Sequence, residues 1–369
     1  MVANPSEEKP AAGTNICVGG YDGSVAGLTL RPDAEDLLSL QATFAYASHI
    51  TAVRSAALSG STLVTGSADE TVRIYDLARR VERGSLFEHS GTVNALVFFR
   101  DGPRRLLMSA GDDALMCVWR TSDWKCLKRM HGHQAPVLDV AVHPSARVAL
   151  SVAKDRSLFM WNMVKGKIAF SAKTKETPAT TVEWAPGGER YMLVAGKSVK
   201  LSNVEGKDVE TFVHERPVLA AAFVKEGVLA TGGEDKIVRV WDQRTGGCVI
   251  ACKHEKRVRG VACVDGLVVA ADSGGGVKIW DARMGGSARL ETCLGGGDMR
   301  LTCLAAAKEV EEVEKVPKTE EEEEGETKDE GRQEKGKGAR RKRREERPAP
   351  LEGTASQRKR KKRKEQKAS

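Results

Sequence analysis

A seven-bladed β-propeller, all-β and closed by strands from both ends of the chain, is the fold this sequence predicts. Three observations predict it. Short alternating apolar strands separated by tight turns recur from residue 15 to residue 307. They fall on a fixed step: Tyr75, Trp119, Trp161, Ser202, Trp241 and Trp280 occupy one repeating position, separated by 44, 42, 41, 39 and 39 residues. Finally, an opening strand near residue 300 has no partners after it, while a unit near residue 20 has no opening strand before it.

The units carry more than spacing. In "GSADETVRIYD", "SAGDDALMCVW", "SVAKDRSLFMW" and "TGGEDKIVRVW" an Asp stands six residues before the aromatic: Asp69, Asp113, Asp155 and Asp235. A small hydroxyl residue stands ten before it: Thr65, Ser109, Ser151 and Thr231. His49, His89, His133, His214 and His254 each stand four residues before a Val: Val53, Val93, Val137, Val218 and Val258. Units of about 40–45 residues with four antiparallel strands are WD40 blades.

Three full sets follow: His89, Ser109, Asp113 and Trp119; His133, Ser151, Asp155 and Trp161; and His214, Thr231, Asp235 and Trp241. His49, Thr65 and Asp69 repeat the pattern with Tyr75 as the aromatic. His, Ser and Asp can build a nucleophilic triad. A catalytic set occurs once, however, and this one occurs four times. Buried polar groups need partners, so the repeated set reads as a structural tetrad tying the strands of each blade together.

Two units depart from the pattern. The sixth, "AADSGGGVKIW", has Gly274 at the Asp position. The fourth, "TPATTVEWAPGGERYMLVAGKSVKLSN", has lost His, Asp and Trp, with Gly196 and Ser202 in the two marked places. It is expected to be held by packing alone, either more mobile than its neighbours or steadied by a partner.

The seventh blade is assembled from both ends. In "CVGGYDGSVAGLTL", Leu28 takes the aromatic position and Asp22 falls six before it. The step from Leu28 to Tyr75 is 47, lengthened by "RPDAEDLLSL". In "MRLTCLAAAKE", Leu301 matches the valines that follow each His. Residues 299–307 are therefore expected to supply the innermost strand and residues 15–48 the rest. Closure of this kind removes the exposed sheet edges of an open array.

The domains expected are a disordered leader over 1–14, the propeller over 15–307 and a disordered charged tail over 308–369. No apolar run approaches the roughly 18–20 residues of a membrane span, and the leader has no apolar core of the secretory kind. The eight cysteines are scattered and read as reduced thiols of an intracellular protein. Cys248 and Cys252 lack zinc-knuckle spacing, so neither a metal nor another cofactor is expected. The net charge of +8 conceals a segregation. Residues 308–330 hold 12 acids and 4 bases, and residues 331–369 hold 17 bases and 5 acids. Such charge with few apolar residues does not fold alone.

The phrases "TGSADETVRIYDL", "EHSGTVNALVFF", "HPSARVALSVAKDRSLFMWNMVKGKIAF" and "VEWAPGGERYM", with "RLTCL" leading into a Lys/Arg-rich tail, are specific. In them the chain resembles the PAK-interacting WD-repeat proteins, the p21-activated-kinase-interacting family of ribosome-assembly factors. The resemblance implies a nucleolar, nuclear protein that serves as a non-enzymatic scaffold in maturation of the large (60S) subunit and its rRNA. Its implied partners are pre-60S proteins and rRNA, with the chain a monomer inside a larger complex. It also implies an alternative, a signalling adaptor that binds and restrains a p21-activated kinase.

Two partner sites suggest themselves. The first is the tail, with Arg340, Arg341, Lys342, Arg343 and Arg344 in one cluster and Arg358, Lys359, Arg360, Lys361, Lys362, Arg363 and Lys364 in another. Such clusters are nuclear import signals or RNA-contact patches that act by displacing counterions. No aromatic lies among them for base stacking. The acidic block is expected to compete for them. The second site is the rim of the central channel, where Arg54, Arg216, Lys256, Arg257, Arg259 and Arg300 flank the strand starts of blades five, six, seven and one. The opposite arc holds Thr92, Pro136 and Leu138. A basic arc suits rRNA phosphates or an acidic protein segment. An enzyme would need a non-repeated titratable cluster. His131 and His143 have no evident partner, and "GGGDM" and "SGGGVK" lack the ending of a phosphate loop, so no small-molecule substrate is expected.

Overall fold

The computed structural model of the chain describes residues 13–32, 38–174, 177–282, 290–294 and 299–309. These hold 28 strands in seven four-stranded antiparallel sheets, with no α-helix among the described residues. Six sheets run from inner to outer strand in chain order. Their inner strands are Val53–Ser59, Val93–Asp101, Val137–Val142, Thr181–Trp184, Val218–Lys225 and Val258–Val264.

The seventh sheet joins the two ends of the domain. Leu301–Lys308 is its inner strand and pairs with Thr14–Gly20, followed outward by Ser24–Pro32 and Leu38–Ala47. The register sets Thr14 against Lys308, Cys17 against Ala305 and Gly20 against Leu301. Thr14 and Lys308 are thus strand residues, although the sequence reading placed them in the leader and the tail. The chain separates into one unit over Met1–Glu314 and another over Lys315–Ser369. The rest of the leader, the acidic block from residue 310 and both basic clusters lie outside the described residues.

The core lies between the blades. Seven apolar clusters are found among the described residues, one at each junction. At the junction of blades one and two, for example, Val64 and Ile74 pack against Val93 and Leu107. The valine four residues after each His is the wedge of this packing. Val93 enters the space beside Gly66 and Val258 the space beside Gly232. A Cβ on those glycines would lie 2.6 and 2.5 Å from a valine methyl. Gly19 holds Val53 in the same way at the closing junction. Side chains there are excluded because protein interiors are already close-packed.

The tetrads hold each blade's inner strands together. In blade two, the Trp119 indole donates to Ser109 Oγ at 2.9 Å. Ser109 lies 2.8 Å from His89 Nε2, and His89 Nδ1 lies 2.9 Å from Asp113. The carboxylate only accepts, so Nδ1 carries the proton and the serine hydroxyl donates to Nε2. Against the cost of burial, His89 and the amides of Ser90 and Leu115 hold the Asp113 carboxyl below its usual range.

The other blades vary this chain. In blade one His49 contacts Thr65 and Asp69, at 2.8 and 2.9 Å. The Tyr75 hydroxyl is buried without a hydrogen-bond partner. In blade three His133 does not reach Asp155 directly. Its Nδ1 meets Ser157 Oγ at 2.9 Å, and Ser157 donates to Asp155 at 2.6 Å. Burial holds the His133 imidazole down at about 4. In blade five the Arg239 guanidinium stands between Asp235 and His214, whose direct separation is 3.9 Å. The sequence pattern did not include the interposed Ser157 and Arg239.

Blades six and four solve the problem differently. In blade six Asp272, two residues ahead of the expected place, lies 3.3 Å from His254 and accepts the amides of Gly274 and Gly276. Ala270 occupies the hydroxyl position, and His254 Nε2 is buried without a partner. Blade four is not held by packing alone. Ser202 donates to Asp208 at 2.9 Å, and His143 of blade three bonds the Gly188 carbonyl at 3.0 Å. Trp184 lies edge-to-face with His143 and with Tyr191, at 4.8 and 5.5 Å between ring centres. Local hydroxyl and aromatic contacts replace the missing tetrad.

Candidate partner-binding rim

The rim is fixed by one repeated backbone bond. The carbonyl of the residue before each wedge accepts an amide from the turn between the blade's second and third strands. Ala52 accepts from Ala68, Thr92 from Asp112, Pro136 from Lys154, Pro217 from Glu234, Arg257 from Ser273 and Arg300 from Tyr21, at 2.8–3.0 Å. Blade four alone among the described turns breaks the pattern: there Thr180 donates to Val194. The rim residues are therefore structurally equivalent, and the chemistry of the channel mouth is read from which side chain each blade places there.

The mouth is a cavity of about 780 Å³. Ala52, Ala68, Pro136, Leu138 and Pro178 give it apolar walls. Arg54 and Lys154 are its cations, and Asp112 is its acid. Asp112 is occupied: Asn94 donates to it at 2.7 Å. Tyr21 stands at the edge, with its ring 63% exposed.

Of the six cations singled out from the sequence, three act on one another. Arg259 is held below its ordinary value by partial burial and by the charges of Arg257 and Arg54. That repulsion places Arg54 and Arg259 within each other's field although blade seven separates their blades. Arg300 is held through its carbonyl by Tyr21. Arg216 and Lys256 are exposed beside His214 and His254, and neither lines the cavity. Among the described residues none of the six forms an ion pair. Lys154 and Tyr21 were missed from sequence because they lie in the turns between second and third strands, which the strand starts alone do not mark.

Below the rim, side chains bridge neighbouring inner strands around the channel. Thr302 donates to Val53 O, Ser55 to Val93 O at 3.1 Å, and Asn94 to Val137 O at 2.9 Å. The direction then reverses. Asp139 accepts from the Val182 amide at 2.9 Å and Glu183 from the Phe223 amide at 3.2 Å. Among the described residues, five of the seven junctions are bridged in this way. Burial raises Asp139 to about 7, and burial together with the Asp139 charge raises Glu183 to about 8.

Comparison with known proteins agrees with this architecture. The family model described as "WD domain, G-beta repeat" matches residues 39–76, 81–120, 124–162 and 206–242. Each match ends in the third strand of blade one, two, three or five; none ends in the third strand of blade four, six or seven. The chain is 33% identical over 302 residues to a "p21-activated protein kinase-interacting protein 1-like" protein of Xenopus laevis, covering 79% of this chain and 81% of the relative. A Danio rerio protein of the same description is 34% identical over 300 residues, covering 78% and 79%. The Homo sapiens "p21-activated protein kinase-interacting protein 1" is 30% identical over 301 residues, covering 78% and 76%.

Proposed function

The chain belongs to the p21-activated protein kinase-interacting protein 1-like family of WD-repeat proteins, and from that premise we propose that it is a docking scaffold in nucleolar assembly of the large ribosomal subunit. The observation that carries the reading is the rim, where Arg54 lines the cavity and its charge, with that of Arg257, bears on Arg259, none of the three in an ion pair among the described residues although Glu234 offsets part of the charge at Arg259. Holding like charges together is unfavourable unless an anionic partner offsets the repulsion. The basic clusters at Arg340–Arg344 and Arg358–Lys364 add a salt-sensitive hold on RNA and a signal for nuclear import. The protein works without catalysis, as a monomer within a larger particle of ribosomal precursor proteins and rRNA.

Affinity purification of the whole chain, followed by mass spectrometry and gradient sedimentation, tests this reading. Large-subunit precursor proteins and rRNA are expected in the purified material. Their absence, from nuclear extract and at low salt, overturns it. A second reading draws on the relatives' names, which describe proteins that interact with a p21-activated kinase. It expects such a kinase in the same purification, with rRNA processing unaffected when the chain is removed.

A further inference from the structure

We propose that the channel mouth binds an acidic, extended polypeptide segment, which places one bulky apolar side chain in the cavity and its carboxylates on the arginine arc. This inference rests on the scaffold reading, in that it takes the rim as a docking surface, and it names the class of partner.

The cavity has two characters. Its apolar walls, Pro136, Leu138 and Pro178, belong to blades three and four, with Lys154 at their edge; Ala52 of blade one lies beyond the polar Thr92, Asn94 and Asp112 of blade two. Its positive side is Arg54, backed by Arg257 and Arg259. A phosphate backbone would satisfy the arginines and leave the apolar walls uncovered. A nucleobase would need a flat stacking surface, and among the described lining residues Tyr21 at the edge is the single aromatic ring. A polypeptide meets both demands at once. One leucine-sized side chain fits easily in about 780 Å³, and burying it contributes binding free energy in proportion to the apolar area covered. Carboxylates flanking it meet guanidinium groups built to receive them in pairs.

The surroundings extend the same surface. Ile50 is 87% exposed beside Thr51, which lines the cavity, and Tyr21 is 63% exposed. Exposed large apolar groups beside a concave, charged mouth mark an interaction site rather than ordinary surface. Asp112, the one acid in the lining, is held by Asn94 and keeps its negative charge, which directs the segment's carboxylates away from blade two and toward Arg54.

The test uses the full chain and three labelled probes: an acidic peptide with a single central leucine, its alanine analogue, and an oligouridylate of matched length. Binding is read by fluorescence anisotropy. Replacing the peptide's leucine with alanine is expected to weaken binding about tenfold. The double variant Arg54→Glu/Arg259→Glu is expected to weaken the leucine peptide about tenfold or more, while oligouridylate binding, held by the basic tail, stays unchanged. A photo-reactive group at the leucine position is expected to crosslink to residues 52–54, 136–138 or 178 of the unaltered chain, an outcome that does not depend on a variant folding. Two results overturn the proposal. One is loss of oligouridylate rather than peptide in the double variant, which makes the rim an RNA site. The other is equal affinity for the two peptides, or crosslinks confined to the tail. Either leaves the purification of large-subunit precursors untouched, so the scaffold reading stands or falls separately.

Discussion

Leu301 is the residue through which ring closure is best measured. It is 2% exposed and packs with Ile16, Leu28, Val269 and Ile279, so it binds blade seven to blade six while its strand pairs with Thr14–Gly20. Leu301→Ala removes buried methyl groups at a site with neighbours on both sides and little freedom to collapse. Substitutions of this kind cost about 2–5 kcal/mol. For a domain of this size each kcal/mol lowers the midpoint of thermal unfolding by about 2 °C, so a fall of roughly 4–10 °C is expected, read by circular dichroism in one cooperative transition. A chain ending at Gly297 loses Leu301 together with Thr302, whose hydroxyl reaches both Gly19 O and Val53 O. It is expected to melt lower still than the Leu301→Ala chain, against a chain ending at Glu309 as the reference. If the chains ending at Gly297 and Glu309 melt together, the strand does not close the ring and the reasoning fails. A separate early transition, with the main one unmoved, would mean that blade seven is held apart from the rest.

Three further predictions concern the packing and the polar network. Ala270→Ser supplies blade six with the hydroxyl its His254 lacks, and is expected to raise stability by about 1 kcal/mol; an unchanged or lower melting temperature contradicts the tetrad account. Gly232→Val pushes a Cβ to within 2.5 Å of the Val258 methyl, and a loss of at least about 1–3 kcal/mol is expected in chemical denaturation, whereas tolerance would show that the wedge is loosely held. Glu183 has a folded pKa of about 8, raised above its ordinary carboxylate value, so its contribution is present at low pH and is lost as pH rises through 8. Glu183→Gln keeps an acceptor for the Phe223 amide, and its advantage over the unaltered chain is expected to grow between about pH 5 and pH 8 and to level off above that; parallel pH profiles would show that Glu183 is not protonated in the fold.

The blade count, the shared seventh blade and the members of the tetrads were legible because each rests on a period or an offset that any blade must repeat. Gly66 and Val93, or Gly232 and Val258, were half legible. The valines stand at a fixed distance from His, but their packing against glycines of the preceding blade appears only when the sheets are stacked. Ser157 and Arg239 were not legible as tetrad partners, since the places they occupy in their blades are not kept along the repeat: blade two has Leu115 and Cys117 there. The bridges from Thr302, Ser55, Asn94, Asp139 and Glu183 were hidden for another reason. They share no residue type, and although each of these inner strands is bulged beside its wedge, the bridge comes from the first residue after the wedge in Thr302 and Asn94 and from the second in Ser55 and Asp139. In the rim, Arg54, Arg257 and Arg259 could be brought together from sequence once the ring was closed. Lys154 and Tyr21 could not, because a backbone bond brings them there from turns that the strand starts alone do not mark.

The shared blade also dictates an order of events at birth. Thr14–Gly20 leaves the ribosome early, yet the strand that covers its inner edge begins about 280 residues later. At roughly 5–20 residues per second that edge waits on the order of 15–60 s during synthesis. Throughout that interval a strand of almost wholly buried residues presents open backbone donors and acceptors. The first three strands of blade seven therefore require temporary cover in the cell, and the moment at which the nascent ring becomes safe from misassembly is set by release of Leu301–Lys308.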